Sequence, residues 1–223
     1  MGNGSAIVRC VAGGAAVHLV CATRGGAGWN GLPAGRLPED LPEIRAGELE
    51  RAAAVLGLAG VDLWDYPDGD VPGCDQAEIT ERIRDAVAQV DPDLVLGWGP
   101  DGGYGHPDHI AIGACTDAAL AGSGRDQYHL ALDRPKAAAL DAWVRQFDPG
   151  TTMRFASVDN LDLVFEPSRA ELAIVKRAVE CHESQLGPMY RALIDDPAAF
   201  HHLAQSCYVR VGAASGTGSS RSL

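Results

Sequence analysis

Short apolar runs alternating with longer amphipathic stretches dominate the first half of this 223-residue chain, and that rhythm restricts its fold more than any other feature. Residues 16–22 (AVHLVCA) are short, apolar and bounded by glycines, the pattern of a buried strand. Residues 41–56 place Ile44, Leu49, Ala52, Ala53 and Leu56 near a 3.6-residue period and read as a helix. A second strand is expected over 61–66. Residues 76–90 then carry Ile79, Ile83, Ala86, Val87 and Val90 on one helical face, with Asp91-Pro92 as the stop and 94–98 (LVLGW) as the next buried strand. Strands and helices alternating at these lengths predict an α/β fold with a mostly parallel sheet and helices on both faces.

Past residue 121 the pattern weakens. Strands are expected over 128–132 and 161–165 and a helix over 135–147. Ser168 with Glu171 three residues on has the form of a capping box, opening a helix that runs to about Cys181. The start is unusual: a helical pattern over 5–12 has no strand before it, whereas the first helix of a doubly wound sheet follows a central strand. Either the fold begins with a helix or a first central strand is missing upstream. One domain is expected over 1–211, followed by a Gly/Ser-rich, disordered tail over 212–223.

Composition narrows the partners. Eighteen Lys and Arg against 30 Asp and Glu give a net charge of −12, which argues against nucleic acid or an anionic membrane surface. No apolar run reaches the roughly 18 residues of a membrane span, and no basic start leads into a signal-peptide core, so a cytoplasmic location is expected. The six cysteines are scattered without a CxxC pair, which points to buried reduced thiols rather than thiolate-bound zinc.

Chemistry concentrates after the third strand. In open α/β sheets ligands sit outside the carboxyl ends of the strands, and the loop after 94–98 reads Gly-Pro-Asp-Gly-Gly-Tyr-Gly-His-Pro-Asp-His before an apolar helix. Pro107 suits a first helical turn, which places His106 and His109 on either side of that terminus with Asp108 between them. Two imidazoles and a carboxylate at such a place serve metal or acid–base chemistry. His18, His129 and the His201-His202 pair read as core or solvated residues, and Gly2-x-Gly4 lacks the strand and third glycine of a dinucleotide loop. Trp29 and Trp64 could stack on a sugar or simply pack. Residues 32–42, with three prolines, could cover a site or serve as surface filler.

The segment Tyr104-Gly105-His106-Pro107-Asp108-His109 resembles the second signature of the PIG-L/LmbE-like family of zinc-dependent N-acetylglucosamine deacetylases. Further matches follow in order: Thr23-Arg24-Gly25, Arg45 with Glu48-Leu49, Tyr66-Pro67-Asp68-Gly69 and His182-Glu183-Ser184-Gln185. The resemblance implies a Rossmann-like sheet and hydrolysis of an N-acetyl group from a small-molecule glucosamine conjugate by metal-activated water. It implies Zn2+, with Fe2+ as the alternative, held in part by His109. His106 would stabilise or protonate the tetrahedral intermediate, Asp108 would tune it, and Tyr104 would donate to the oxyanion. Arg24, Arg45 and Asp68 would hold sugar or inositol hydroxyls.

The family's early Ala-His-Pro-Asp-Asp-Glu motif, which supplies two further metal ligands and the general base, is not in this sequence. Two functions therefore stand: a metal-dependent deacetylase, or a non-catalytic relative that keeps a carbohydrate-binding surface.

Overall fold

A computed structural model describes residues 2–27 and 40–212. Trp29, residues 32–39 of the expected loop and residues 213–223 of the expected tail lie outside the described residues. The elements run α1 (Gly4–Ala12), β1 (His18–Thr23), α2 (Leu41–Leu56), β2 (Gly60–Tyr66), α3 (Gln76–Val90), β3 (Leu94–Trp98), α4 (Gly102–Gly105) and α5 (Pro107–Leu120). They continue with β4 (Asp126–Leu130), α6 (Arg134–Phe147), β5 (Leu163–Phe165), α7 (Arg169–Glu180), α8 (Pro188–Asp195), α9 (Pro197–Ala204) and β6 (Ser206–Arg210).

Local chemistry explains the boundaries. The Asp75 side chain accepts from the Ala77 and Glu78 amides to start α3, and Asp91 in the left-handed region ends it before Pro92. Gly57, at φ 76°, closes α2 by returning its amide to the last turn. The capping box expected at Ser168 and Glu171 is present in both halves and opens α7.

Two compact bodies result. The first comprises Met1–Gly69 and Phe165–Ser206. In it β1 and β2 pair in parallel, from His18 opposite Gly60 to Cys21 opposite Leu63. Its core gathers Val8 of α1, Val175 and Val179 of α7, Leu186, Ile194 of α8, and Phe200 and Ala204 of α9. Arg9 of α1 clamps α7 through Glu171, with Nε to Oε1 at 2.9 Å and Nη2 to Oε2 at 2.8 Å.

The second body comprises Asp70–Val164 and Cys207–Leu223. Its strands follow the order β3-β4-β6-β5, the last residue of β5 and the first of β6 belonging to the first body. β3 and β4 run parallel, from Leu94 opposite Asp126 to Trp98 opposite Leu130. β6 was not expected from the sequence; it joins β4 antiparallel, with Tyr128 opposite Arg210. Ile79 and Ile83 of α3 and Ala111, Cys115 and Ala119 of α5 are buried in this body.

All six cysteines are free thiols, but only Cys115 and Cys207 are buried; the other four are half-exposed. No helix among the described residues is long and apolar enough to cross a membrane.

Candidate active site

β3 delivers the chain to a tight sequence of turns. Asp101 accepts from the Gly103 amide at 2.5 Å, and α4 is a single turn broken at Gly103 and Tyr104. Gly102 has φ +60°, and a Cβ there would sit 2.8 Å from Ile110 Cγ1 and 3.3 Å from His109 Cβ. Only glycine fits both the backbone conformation and the space. His106 caps α5, its Nδ1 accepting from the Asp108 amide at 3.2 Å, with Pro107 in the first turn.

This backbone gives the two imidazoles opposite tautomers. His106 Nδ1 is an acceptor, so in the neutral ring Nε2 carries the proton. His109 Nδ1 lies 3.0 Å from the Gly102 carbonyl, which can only accept, so His109 Nδ1 is protonated and its neutral Nε2 keeps a lone pair. The rings stack at 4.5 Å between centroids, and His109 also lies parallel to Trp98 at 3.8 Å and 8°. Tyr104 stands edge-on to both, 5.7 Å from His106 and 5.5 Å from His109. Asp108 is buried, and its Oδ1 accepts from the Val71 amide at 3.1 Å, tying α5 to the 3-10 turn Val71–Gly73. Tyr104, His106, Asp108 and His109 thus form one cluster in the second body.

Arg24, Arg45 and Asp68 belong to the first body, the first and last just past the carboxyl ends of its two parallel strands. Asp68 joins those two turns, accepting from Thr23 Oγ1 at 3.3 Å and from the Ala27 amide at 2.9 Å. Arg45, buried on α2, donates through Nη1 to the Gly25 carbonyl and through Nε to Ser184 Oγ at 3.3 Å. Gly25, at φ +71°, leaves no room for a side chain: its Cβ would meet Arg45 Nη1 at 2.9 Å. Burial pulls the Arg45 guanidinium down from its ordinary pKa, while the Asp68 and Glu48 charges oppose that pull. Half-buried Arg24 makes no hydrogen bond or ion pair among the described residues.

Glu48 and Ser184 were visible in the sequence only as motif letters. Fully buried Glu48 accepts from the Ser184 amide at 2.6 Å and from Ser184 Oγ at 2.7 Å. Ser184 Oγ therefore accepts from Arg45 and donates to Glu48. His182 beside them has a buried Nδ1 with no hydrogen-bond partner among the described residues, and burial lowers its pKa. Among the other histidines, His129 pairs with Asp117 at 2.8 Å, and His201 lies 3.1 Å from Glu166.

A mononuclear zinc site takes about three protein ligands and leaves one position open. His109 offers a pre-set Nε2, but no group of three His, Cys, Asp or Glu among the described residues is placed to hold an ion. The described residues alone therefore do not fit a complete metal site.

Residues 1–120 match the family described as GlcNAc-PI de-N-acetylase, PIG-L. The chain belongs to the PIG-L family. Among PIG-L relatives, it is 32% identical over 154 residues to 1D-myo-inositol 2-acetamido-2-deoxy-alpha-D-glucopyranoside deacetylase of Kineococcus radiotolerans, covering 56% of this chain and 43% of the relative. The chain thus spans less than half of that relative's length. N,N'-diacetylchitobiose deacetylase of Pyrococcus horikoshii superposes with a TM-score of 0.62 at 18% identity, over 94% of this chain and 78% of that one. A 4-carboxy-2-hydroxymuconate hydratase of Pseudomonas putida superposes with a TM-score of 0.59 at 17% identity, over 90% and 75%. These likenesses establish the Rossmann-like α/β fold, which hosts more than one reaction.

Proposed function

We propose that this chain acts in hydrolysis of an N-acetyl amide on a small-molecule glucosamine conjugate, the reaction class named for its PIG-L relatives. The observation that carries the reading is the complementary pair of imidazoles. Hydrolysis of an amide needs a donor for the oxygen that becomes negatively charged and a proton for the departing amine. His106 supplies an Nε2–H for the first; the attacking water, whose oxygen replaces the amine nitrogen on the acyl carbon, brings the proton for the second. Tyr104, edge-on to both rings, adds a hydroxyl donor. His109, with Nδ1 fixed by Gly102, offers Nε2 as a lone-pair donor, the form that a Zn2+ or Fe2+ ligand requires. Asp108 fixes the first turn of α5, on which both histidines depend. Arg24, Arg45 and Asp68 are assigned to sugar hydroxyls.

A second reading, a carbohydrate-binding chain without catalysis, is favoured by one observation: the described residues gather a single pre-set metal donor. One experiment separates the two. Acetate release is measured from N-acetylglucosaminyl inositol and N,N'-diacetylchitobiose while Zn2+ or Fe2+ is titrated. The deacetylase reading expects release that drops about 100-fold or more in His106→Ala, the usual range for removing one oxyanion donor, and a comparable drop in His109→Ala, which loses its lone-pair donor. No release at any metal level, with sugar binding that survives His109→Ala, would establish the second reading and overturn the first.

A further inference from the structure

An open cavity of about 570 Å³ adjoins Tyr104 and His106, and its far wall is the segment 151–154 between α6 and β5. We infer that this cavity receives an anionic group of the substrate, a phosphate or a carboxylate, and that Arg154 is the residue that selects it. The inference rests on the reading above only in placing the acetamide at Tyr104 and His106.

The wall is held in place at several points. Asp148 carries the start of the segment through its carbonyl and carboxylate, accepting from the Thr151 and Gly150 amides at 3.1 and 3.2 Å. Thr151 Oγ1 accepts from the Met153 amide at 3.2 Å, and Asp141 of α6 accepts from the Phe155 amide at 3.0 Å. The Phe155 ring meets Tyr104 at 5.9 Å, linking the wall to the catalytic cluster. Arg154 is thereby fixed between two anchored residues.

No carboxylate among the described residues compensates its charge. Nη1 donates to the Thr151 and Met153 carbonyls at 3.3 and 2.6 Å, which orients the guanidinium without neutralising it. In the same body Arg84, Arg125, Arg134, Arg145 and Arg210 each pair with a carboxylate. Arg154 pairs with none among the described residues. The cavity lining contains no acidic residue among the described residues, and Thr151 and Thr152 add hydroxyl donors beside the guanidinium. On a chain of net charge −12, a cationic, hydroxyl-lined cavity is a place that accepts an anion. A guanidinium fork matches the paired oxygens of phosphate and carboxylate alike. Met153 and Pro107 supply apolar wall for the rest of the ligand.

The test is calorimetric binding to the whole chain of three probes: the neutral methyl glycoside of N-acetylglucosamine, N-acetylglucosamine 1-phosphate and N-acetylmuramic acid. At least one anionic probe is expected to bind about tenfold tighter than the neutral one, the size of one charge-assisted hydrogen bond. Which anion gains more distinguishes phosphate from carboxylate. Arg154→Gln should abolish the preference, Arg154→Lys should retain it, and neither should change the neutral probe's affinity. Equal binding of all three probes, or a preference that survives Arg154→Gln, would overturn the inference. Binding is read without turnover, so the two proposals fail separately. A charge preference without acetate release refutes only the deacetylase reading. Acetate release that ignores substrate charge refutes only the role of Arg154.

Discussion

Ser184 offers the most direct test of how the first body holds Arg45. The Glu48 carboxylate is 1% exposed, and such a group is tolerable only when it is well hydrogen-bonded. Ser184 supplies two donors, its amide at 2.6 Å and its hydroxyl at 2.7 Å, and the same hydroxyl accepts from Arg45 Nε at 3.3 Å. Ser184→Ala removes one hydrogen bond to a buried charge and the Arg45 acceptor together, while leaving almost no cavity. A hydrogen bond to a charged group contributes roughly 1.5–3 kcal/mol, so about 2 kcal/mol of stability should be lost. For a chain of this size that lowers Tm by about 4–8 °C. Arg45 keeps its bond to the Gly25 carbonyl, so the guanidinium loosens rather than leaves. If Arg45 holds sugar hydroxyls, KM should rise severalfold with kcat nearly unchanged, the signature of lost uniform binding. Denaturant melts and steady-state kinetics of the variant read both effects. Unfolding free energy within about 0.5 kcal/mol of the parent, the range of an ordinary surface change, would refute the relay.

The Arg9 clamp should make stability pH-dependent. Its side-chain hydrogen bonds to Glu171 pull that carboxyl from 4.5 down to about 2. A depressed carboxylate contributes above its unfolded pKa and loses that contribution as pH falls through its folded one. Because Arg9 is 30% exposed, solvent screening reduces the gain to about 1–2 kcal/mol. Glu171→Gln should therefore be less stable by that amount at pH 7, with the gap closing between about pH 4.5 and 2 in denaturant melts; a pH-independent gap would contradict this. Gly102→Ala should cost roughly 1–3 kcal/mol through the Ile110 clash and its positive φ, and should reduce any acetate release along with stability. Asp108→Asn keeps an oxygen for the Val71 amide while removing the buried charge. If activity falls nonetheless, the Asp108 charge acts on the chemistry, which kcat of the variant measures directly.

What could be read from the sequence was what its neighbours determine. The α7 capping box needs only Ser168 and Glu171, and the end of α3 needs only Asp91-Pro92, so both were legible. The β6 strand depends on Tyr128 meeting Arg210 and His129 meeting Val209 across the chain. Five residues, Ser-Cys-Tyr-Val-Arg, carry no periodicity strong enough to announce that pairing. The relay of Glu48 and Ser184 joins residues 136 positions apart, so both were seen but not as partners.

The histidines show the same limit in its chemical form. Sequence supplies two identical side chains three residues apart, His106 and His109, and nothing in their identity distinguishes a proton donor from a lone-pair donor. The backbone makes the distinction, giving one Nδ1 an amide to accept from and the other a carbonyl to donate to. The carbonyl belongs to Gly102, whose left-handed turn places it seven residues back against His109. The tautomer of His109 is thus set by the Gly102 turn and that of His106 by the first turn of α5, so a glycine that appears in sequence as a mere loop residue decides which nitrogen of His109 keeps its lone pair.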